Sequence, residues 1–173
     1  MINGIEFLKK MYPDLDGENY QPSGLDLNLG NVYEINNNHK ENNFGLYLGG
    51  KKLPELVEAK IDEQQKKVGH IGWTLEPNKV YLCEVDRQIR IGDNNAQFYL
   101  PRSSLLRSGV NVYTALGDTG YNGFLRFMVI NHNEKPFFLE KGVRFAQLID
   151  FEVKGASELY DGDYQEKESW LND

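Results

Sequence analysis

The 173-residue chain is predicted to be all-β, a sandwich or jelly roll, on three observations. Apolar runs of strand length recur at close intervals from Trp73 to Val153. Turn residues separate nearly all of them. Earlier in the chain, Leu25-Asp26-Leu27-Asn28-Leu29 alternates apolar and polar residues as a half-buried strand does.

The elements follow in order. From Ile2 to Tyr12 the apolar residues at 5, 7, 8, 11 and 12 roughly keep helical spacing, and Pro13 and Gly17 stop the helix. Gly30-Asn31 punctuates the next stretch, separating a strand at Leu25–Leu29 from one at Val32–Ile35. The polar run Asn36–Asn43 reads as an exposed loop. Residues 51–70, rich in Lys, Glu and Gln, fit a short helix or a mobile excursion equally well. Strands are then expected at Trp73–Leu75, Lys79–Ile91, Ala96–Leu100, Val110–Thr114, Phe124–Asn131 and Val143–Val153. No internal repeat and no linker marks a second domain.

Composition removes several function classes. A net charge of -7 argues against a sequence-independent grip on a nucleic-acid backbone, although one local basic cluster suffices to hold a free nucleotide. The single cysteine, Cys83, rules out an internal disulfide and fits a reducing compartment. No apolar run approaches the roughly 18 residues of a spanning helix, and the N-terminus lacks the layout of a signal peptide, so a cytoplasmic protein is expected. His39, His70 and His132 stand too far apart for a metal-ligand pair in sequence. Neither the phosphate-binding loop motif nor the zinc-deaminase signature is present.

Two polar clusters stand out against this background. Pro101-Arg102-Ser103-Ser104-Leu105-Leu106-Arg107 follows a strand, and its guanidinium and hydroxyl groups suit phosphate oxygens. A surface turn with a solvated arginine explains the same residues. Gly117-Asp118-Thr119-Gly120-Tyr121-Asn122-Gly123 places a carboxylate in a glycine-rich turn. Asp118 there suits a general base acting on water, or simply a turn aspartate bonding its own backbone. Tyr121 suits stacking on a sugar or an ordinary hairpin position. Further on, Gln147 falls on the face that carries Val143, Phe145, Ile149, Phe151 and Val153. A buried amide there needs a partner, either backbone or a ligand or water.

Taken in order, four segments resemble the motifs of the dUTPase and dCTP deaminase superfamily over nearly the whole chain. They are Pro22-Ser23-Gly24-Leu25-Asp26-Leu27, Leu100-Pro101-Arg102-Ser103-Ser104-Leu105, Gly117 to Gly123, and Gly142-Val143-Arg144-Phe145-Ala146-Gln147-Leu148. Arg102 to Arg107 together with Asp118 to Tyr121 is most similar to the archaeal type of dUTPase. The resemblance implies a homotrimer of dUTPase-like jelly-roll subunits with a short N-terminal helix and interfacial active sites. It implies a β domain over residues 1–155, and a tail from 156 to 173 that is either a lid or idle.

By the same resemblance, Asp118 activates the water that attacks the α-phosphorus of dUTP, giving dUMP and pyrophosphate. Such an activity limits uracil in DNA and supplies dUMP for dTTP synthesis. Tyr121 packs on the deoxyribose, while Arg102, Ser103, Ser104, Arg107 and Gln147 bind substrate, the phosphate contacts coming from a neighbouring subunit. Backbone groups between 110 and 121 pair with uracil. Mg²⁺ binds through the triphosphate and waters, and Asp26 serves either the metal or the architecture.

The sequence also departs from the pattern. Deaminases of the superfamily carry a proton-handling glutamate in the strand after the third motif, and that place falls on Met128. The segment between Arg107 and Asp118 is shorter than in typical deaminases. In the tail, Asp163 stands where a phosphate-binding lysine is expected, with Lys167 as a substitute. A zinc-free or bifunctional dCTP deaminase and a non-catalytic nucleotide-binding regulatory trimer therefore stay open as alternatives.

Overall fold

The longest strand organises the molecule. The computed structural model describes residues 1–36, 44–155 and 158–165. Helix α1 (Ile5–Met11) and a single turn of 3₁₀ helix at Gly17–Asn19 lead into β1 (Tyr20–Gln21) and β2 (Gly24–Ile35). The chain continues through β3 (Gly45–Tyr47), β4 (Gly50–Lys52), β5 (Leu56–Glu58), α2 (Glu63–Lys67), β6 (Gly72–Leu75), β7 (Val80–Arg90) and β8 (Asn95–Pro101). It ends with α3 (Ser103–Arg107), β9 (Val110–Tyr113), β10 (Asn122–Asn131), β11 (Phe137–Glu140) and β12 (Arg144–Glu152).

The main antiparallel sheet runs β8-β12-β2-β7-β10-β9, with β1 and β5 also pairing with β2. The segment after β9 returns to the edge strand β8, where Gly117 bridges Gln97, so the sheet nearly closes into a barrel. Closure hides two edges that would otherwise offer unpaired backbone groups. A second sheet pairs β6 with β11, and β3 and β4 form a separate hairpin. Leu25, Leu27, Leu29, Val85, Ile89, Val129 and Leu148 are among the fully buried residues between these layers.

Three expectations change. Gly30-Asn31 does not end a strand: β2 runs through it, with a shift in its register against β7 between Leu29 and Val32. This bulge switches the side-chain alternation, so Val32 continues the inward face begun by Leu25, Leu27 and Leu29. Glycine is required at 30 because a Cβ would come within 2.9 Å of the Asp86 backbone. The stretch 51–70 holds both β5 and α2, the helix capped by Asp62, whose carboxylate accepts the N–H groups of Gln64 and Gln65. Strand β11 and the β3–β4 hairpin had no sequence signal strong enough to read. The expected loop at Asn36–Asn43 lies, beyond Asn36, outside the described residues.

Burial also sets the response to alkali. Tyr12 is buried, donates to the Arg90 carbonyl at 3.0 Å and accepts from Gln97 at 3.2 Å. Burial is the main cause that pushes its hydroxyl from the ordinary value of 10.0 up to about 12. The unfolded chain therefore releases this proton before the folded one. Stability is expected to be intact below pH about 10 and to fall by about 1.4 kcal/mol per pH unit for this tyrosine until pH about 12. Urea midpoints that stay flat across this alkaline range would contradict the assignment.

Candidate active site

Three of the four sequence motifs meet on neighbouring strands. In register, Asp26 of β2 faces Gln147 of β12, which faces Leu100 of β8. Pro101 ends β8 at the sheet edge, where its missing N–H costs no ladder bond. Arg102 stays extended and donates its backbone N–H to the Phe145 carbonyl at 3.1 Å. Helix α3 then begins, pinned by the buried Leu105, and leaves Ser103, Ser104 and Arg107 exposed.

Asp26 is fully buried, yet it is paired. Its Oδ2 bonds the Arg102 guanidinium and lies 3.5 Å from Nη1 of Arg144, which also donates to the Glu18 carbonyl at 2.7 Å. One carboxylate between two guanidinium groups leaves a net positive cluster with N–H donors to spare, which suits a polyphosphate. Arg144 went unread as a site residue because it was seen only as one letter of the fourth motif. The arrangement also bears on Asp26 as a metal ligand, since two adjacent cations would repel a third. Among the described residues no group of three or more His, Cys, Asp or Glu could hold a metal ion.

Gln147 requires a correction. In β12 the buried residues are Phe145, Ala146, Leu148 and Asp150, while Gln147, Ile149 and Phe151 are only half-buried. A bulge between Arg144 and Ala146 reverses the alternation that sequence counting assumed. Gln147 thus lies on the outer face, beside Arg102 and the exposed Leu100, open to an incoming group.

The third motif lies elsewhere. Gly117 exchanges both backbone hydrogen bonds with Gln97, at 2.9 and 2.8 Å. Asp118 follows it, exposed, its carbonyl accepting the Tyr121 N–H at 3.2 Å and its carboxylate holding no hydrogen bond among the described residues. Tyr121 is only 7% exposed, its hydroxyl donating to the Phe124 carbonyl at 3.0 Å. Its ring meets Tyr160 edge-on at 5.5 Å, where a sugar was expected. Burial first, then the neighbouring Tyr160, pushes its hydroxyl up to about 12, so it stays neutral at working pH.

The tail is tied to this turn. Tyr160 donates its N–H to the Thr119 carbonyl at 2.8 Å, and Thr119 returns a bond from its hydroxyl to the Glu158 carbonyl at 3.0 Å. The Gln165 amide accepts from the Asn122 N–H at 3.1 Å and donates to the Gly120 carbonyl at 3.0 Å. Asp163, unsuited to phosphate, pairs with Lys51 of β4 at 2.6 Å, and Lys51 also stands 4.4 Å over the Tyr164 ring. Within residues 36–70, the described hairpin therefore braces the tail. Lys167 lies outside the described residues.

Within one chain these two clusters are apart. Arg102 stands five positions beyond Gln97, which is beside Gly117, or about 16 Å of extended chain. Met128 faces Leu82 and Tyr113 across its neighbouring strands. The acid next to it on that face, Glu84, is bound by Arg126 at 2.7 Å and is not free to shuttle protons.

Comparison with known proteins adds three findings. The sequence model described as "DCD: dCTP deaminase-like" matches residues 6–153. The chain is 38% identical over 166 residues to a probable deoxyuridine 5'-triphosphate nucleotidohydrolase of Methanopyrus kandleri, covering 95% of this chain and 99% of that protein. A protein of the same description from Methanothermobacter thermautotrophicus is 40% identical over 168 residues, covering 96% of this chain and all (100%) of that one. Among solved structures, a 2'-deoxycytidine 5'-triphosphate deaminase from Agrobacterium tumefaciens superposes with a TM-score of 0.62 at 19% identity. That likeness covers 86% of this chain and 47% of the deaminase chain, about half its length, and speaks for the fold alone.

Proposed function

The chain belongs to the dCTP deaminase-like family, and on that premise we propose that it is a dUTP diphosphatase, converting dUTP and water to dUMP and pyrophosphate. Full-length likeness to the two archaeal proteins named as dUTP nucleotidohydrolases supports the substrate. The geometric observation that carries the chemistry is an available carboxylate at Asp118 combined with a thioether, Met128, where ring deamination would need an acid.

The proposed reaction follows from the residues. Asp118 accepts a proton from water as the water oxygen forms its bond to the α-phosphorus. The bond from that phosphorus to the oxygen bridging to the β-phosphorus breaks, and pyrophosphate leaves. Arg102, Arg144, the hydroxyls of Ser103 and Ser104, Arg107 and the Gln147 amide hold the phosphates and offset developing charge. Mg²⁺, carried in by the triphosphate and its waters, would neutralise further charge on the leaving group. Tyr121 lines the sugar seat once Tyr160 withdraws. Backbone groups between 110 and 121 pair with the base.

Because the two clusters are separated within a chain, we propose that each site is shared between copies in a homotrimer. An apolar outer face supports assembly: Phe98 and Leu100 are 52% and 48% exposed in the single chain, and Phe98 stacks on Phe151 at 4.9 Å. We divide the chain into a β domain over residues 1–155 and a tail from 156, whose described part lies over the third-motif turn as a lid would. A lone cysteine, Cys83, and a nucleotide substrate support a cytoplasmic location.

One assay separates the readings. Purified protein with Mg²⁺ and dUTP, dCTP, dTTP or UTP is expected to release pyrophosphate from dUTP only. Ammonia from dCTP would mean a deaminase, and tight binding without product a regulatory trimer. Sharing is tested by refolding Asp118→Asn chains together with Arg102→Ala chains. About a quarter of wild-type activity is expected from randomly mixed trimers, and none if each site lies within one chain.

A further inference from the structure

We propose that Gln97 and Tyr99 of β8 are positioning residues that aim Asp118 at its water; the proposal rests on the reading of Asp118 as the base. Asp118 needs such help because no hydrogen bond among the described residues holds its carboxylate. Its direction is set through the main chain alone. On one side the Tyr121 N–H bonds its carbonyl; on the other stands Gly117, whose two backbone bonds both go to Gln97. Whatever fixes Gln97 therefore fixes the turn.

Gln97 is fully buried and every group it carries is engaged. Its amide nitrogen donates to Asp150 at 2.9 Å and to the Tyr12 hydroxyl at 3.2 Å. Its amide oxygen accepts from the Tyr99 hydroxyl at 2.9 Å. Turning the amide over would set an oxygen against the Asp150 carboxylate, so only one orientation is allowed. Asp150 is itself buried and held by the side-chain amides of Asn3 at 2.6 Å and Asn95 at 2.7 Å. A fixed anion thus orients Gln97, which orients Tyr99.

Tyr99 forms the floor of the turn. A Cβ on Gly117 would collide with the Tyr99 hydroxyl and come within 2.6 Å of Ile91 Cδ1. The Tyr99 carbonyl also accepts from Thr114 at 2.8 Å, so the returning segment is stitched to β8 at residues 97 and 99. Burial above all, with the nearby carboxylates of Asp150 and Asp118 and two tyrosines adding to it, holds the Tyr99 hydroxyl well above its ordinary range. It stays a neutral donor throughout the working pH range.

The contact between Gly117 and Tyr99 supplies the test. Gly117→Ala is expected to lower kcat for dUTP by about 100-fold, because a shift near 1 Å at the base is costly, while KM stays near that of wild type. Adding Tyr99→Phe together with Ile91→Val removes both atoms most in the way and should recover about 10-fold of that loss, the remainder reporting the lost hydroxyl bond to Gln97. Gln97→Glu places a second carboxyl beside Asp150. Protonated, it mimics the amide; ionised, it repels, so kcat should acquire a new falling limb as pH rises. Wild-type kcat in Gly117→Ala, no recovery in the combined variant, or a Gln97→Glu profile that superimposes on wild type would overturn the proposal. Asp118→Asn is run alongside. Full turnover in that variant removes the base itself, and the positioning role with it; an inactive Asp118→Asn beside a fully active Gly117→Ala removes positioning alone.

Discussion

Replacing Asp118 with asparagine is expected to lower dUTP turnover by at least about 100-fold and leave the affinity for a non-hydrolysable dUTP analogue nearly unchanged. The amide has almost the same shape as the carboxylate, so the turn from Gly117 to Gly123 keeps its two backbone bonds to β8 and its ties to the tail. What changes is basicity. An amide nitrogen donates where a proton must be accepted, and an amide oxygen takes up protons far too weakly to assist attack at phosphorus. In the proposed site binding depends on other groups, chiefly Arg102 and Arg144 around Asp26, which are apart from Asp118 in the same chain. The loss should therefore appear in kcat and in kcat/KM equally, the pattern of an interaction made only in the transition state. Steady-state kinetics together with calorimetric titration of the analogue decide it. Equal losses of affinity and turnover would instead make Asp118 a binding residue.

The sequence was readable wherever local pattern and tertiary role agree. The strands of the main sheet appeared as apolar runs bounded by turns, and α1 followed from its spacing and from Pro13. The segment from Gly117 to Gly123 was legible as a turn because its glycines break the apolar runs on either side. Reading failed where a bulge changed parity. Counting by twos from Val143 put Gln147 among buried residues, but the bulge after Arg144 turned it outward. Gly30-Asn31 misled in the same way in β2. Tertiary partners were also invisible: nothing local links Lys51 to Asp163, or Gln165 to the backbone of Gly120 and Asn122.

The buried carboxylates divide the labour in a way that composition could not reveal. Asp26 gathers two arginines from the end of β8 and the start of β12, and Asp150 gathers three amides beneath the third-motif turn. In both places donors from several different elements converge on a buried carboxylate, which ties those elements to one another. Asp118 alone among these acids is exposed and carries no such partners. Asp150 is saturated, Asp26 keeps one buried oxygen, Oδ1, without a hydrogen-bond partner, and Asp118, the proposed base, is open to solvent.

Glu84→Gln is expected to cost about 3–5 kcal/mol of stability, the largest effect of any single change outside the reaction itself. Both Nε and Nη2 of Arg126 lie 2.7 Å from Glu84 Oε2, and both side chains are only 9% exposed. The Tyr33 hydroxyl donates to the other carboxylate oxygen at 3.2 Å, and the guanidinium lies 4.2 Å over the Tyr33 ring. Glutamine fills the same volume but cannot neutralise the cation, which stays charged at any accessible pH. The penalty is thus a desolvated charge, not a cavity. For a chain of this length it should appear as a fall in Tm of roughly 10 °C, measured at fixed protein concentration because assembly adds to apparent stability. A second variant isolates the cause. Glu84→Leu combined with Arg126→Met removes both charges and should regain most of the loss, since a well-packed apolar pair often matches a buried ion pair. If the single variant melts as wild type does, water reaches this pair in solution and the ion pair adds nothing to the pairing of β10 with β7.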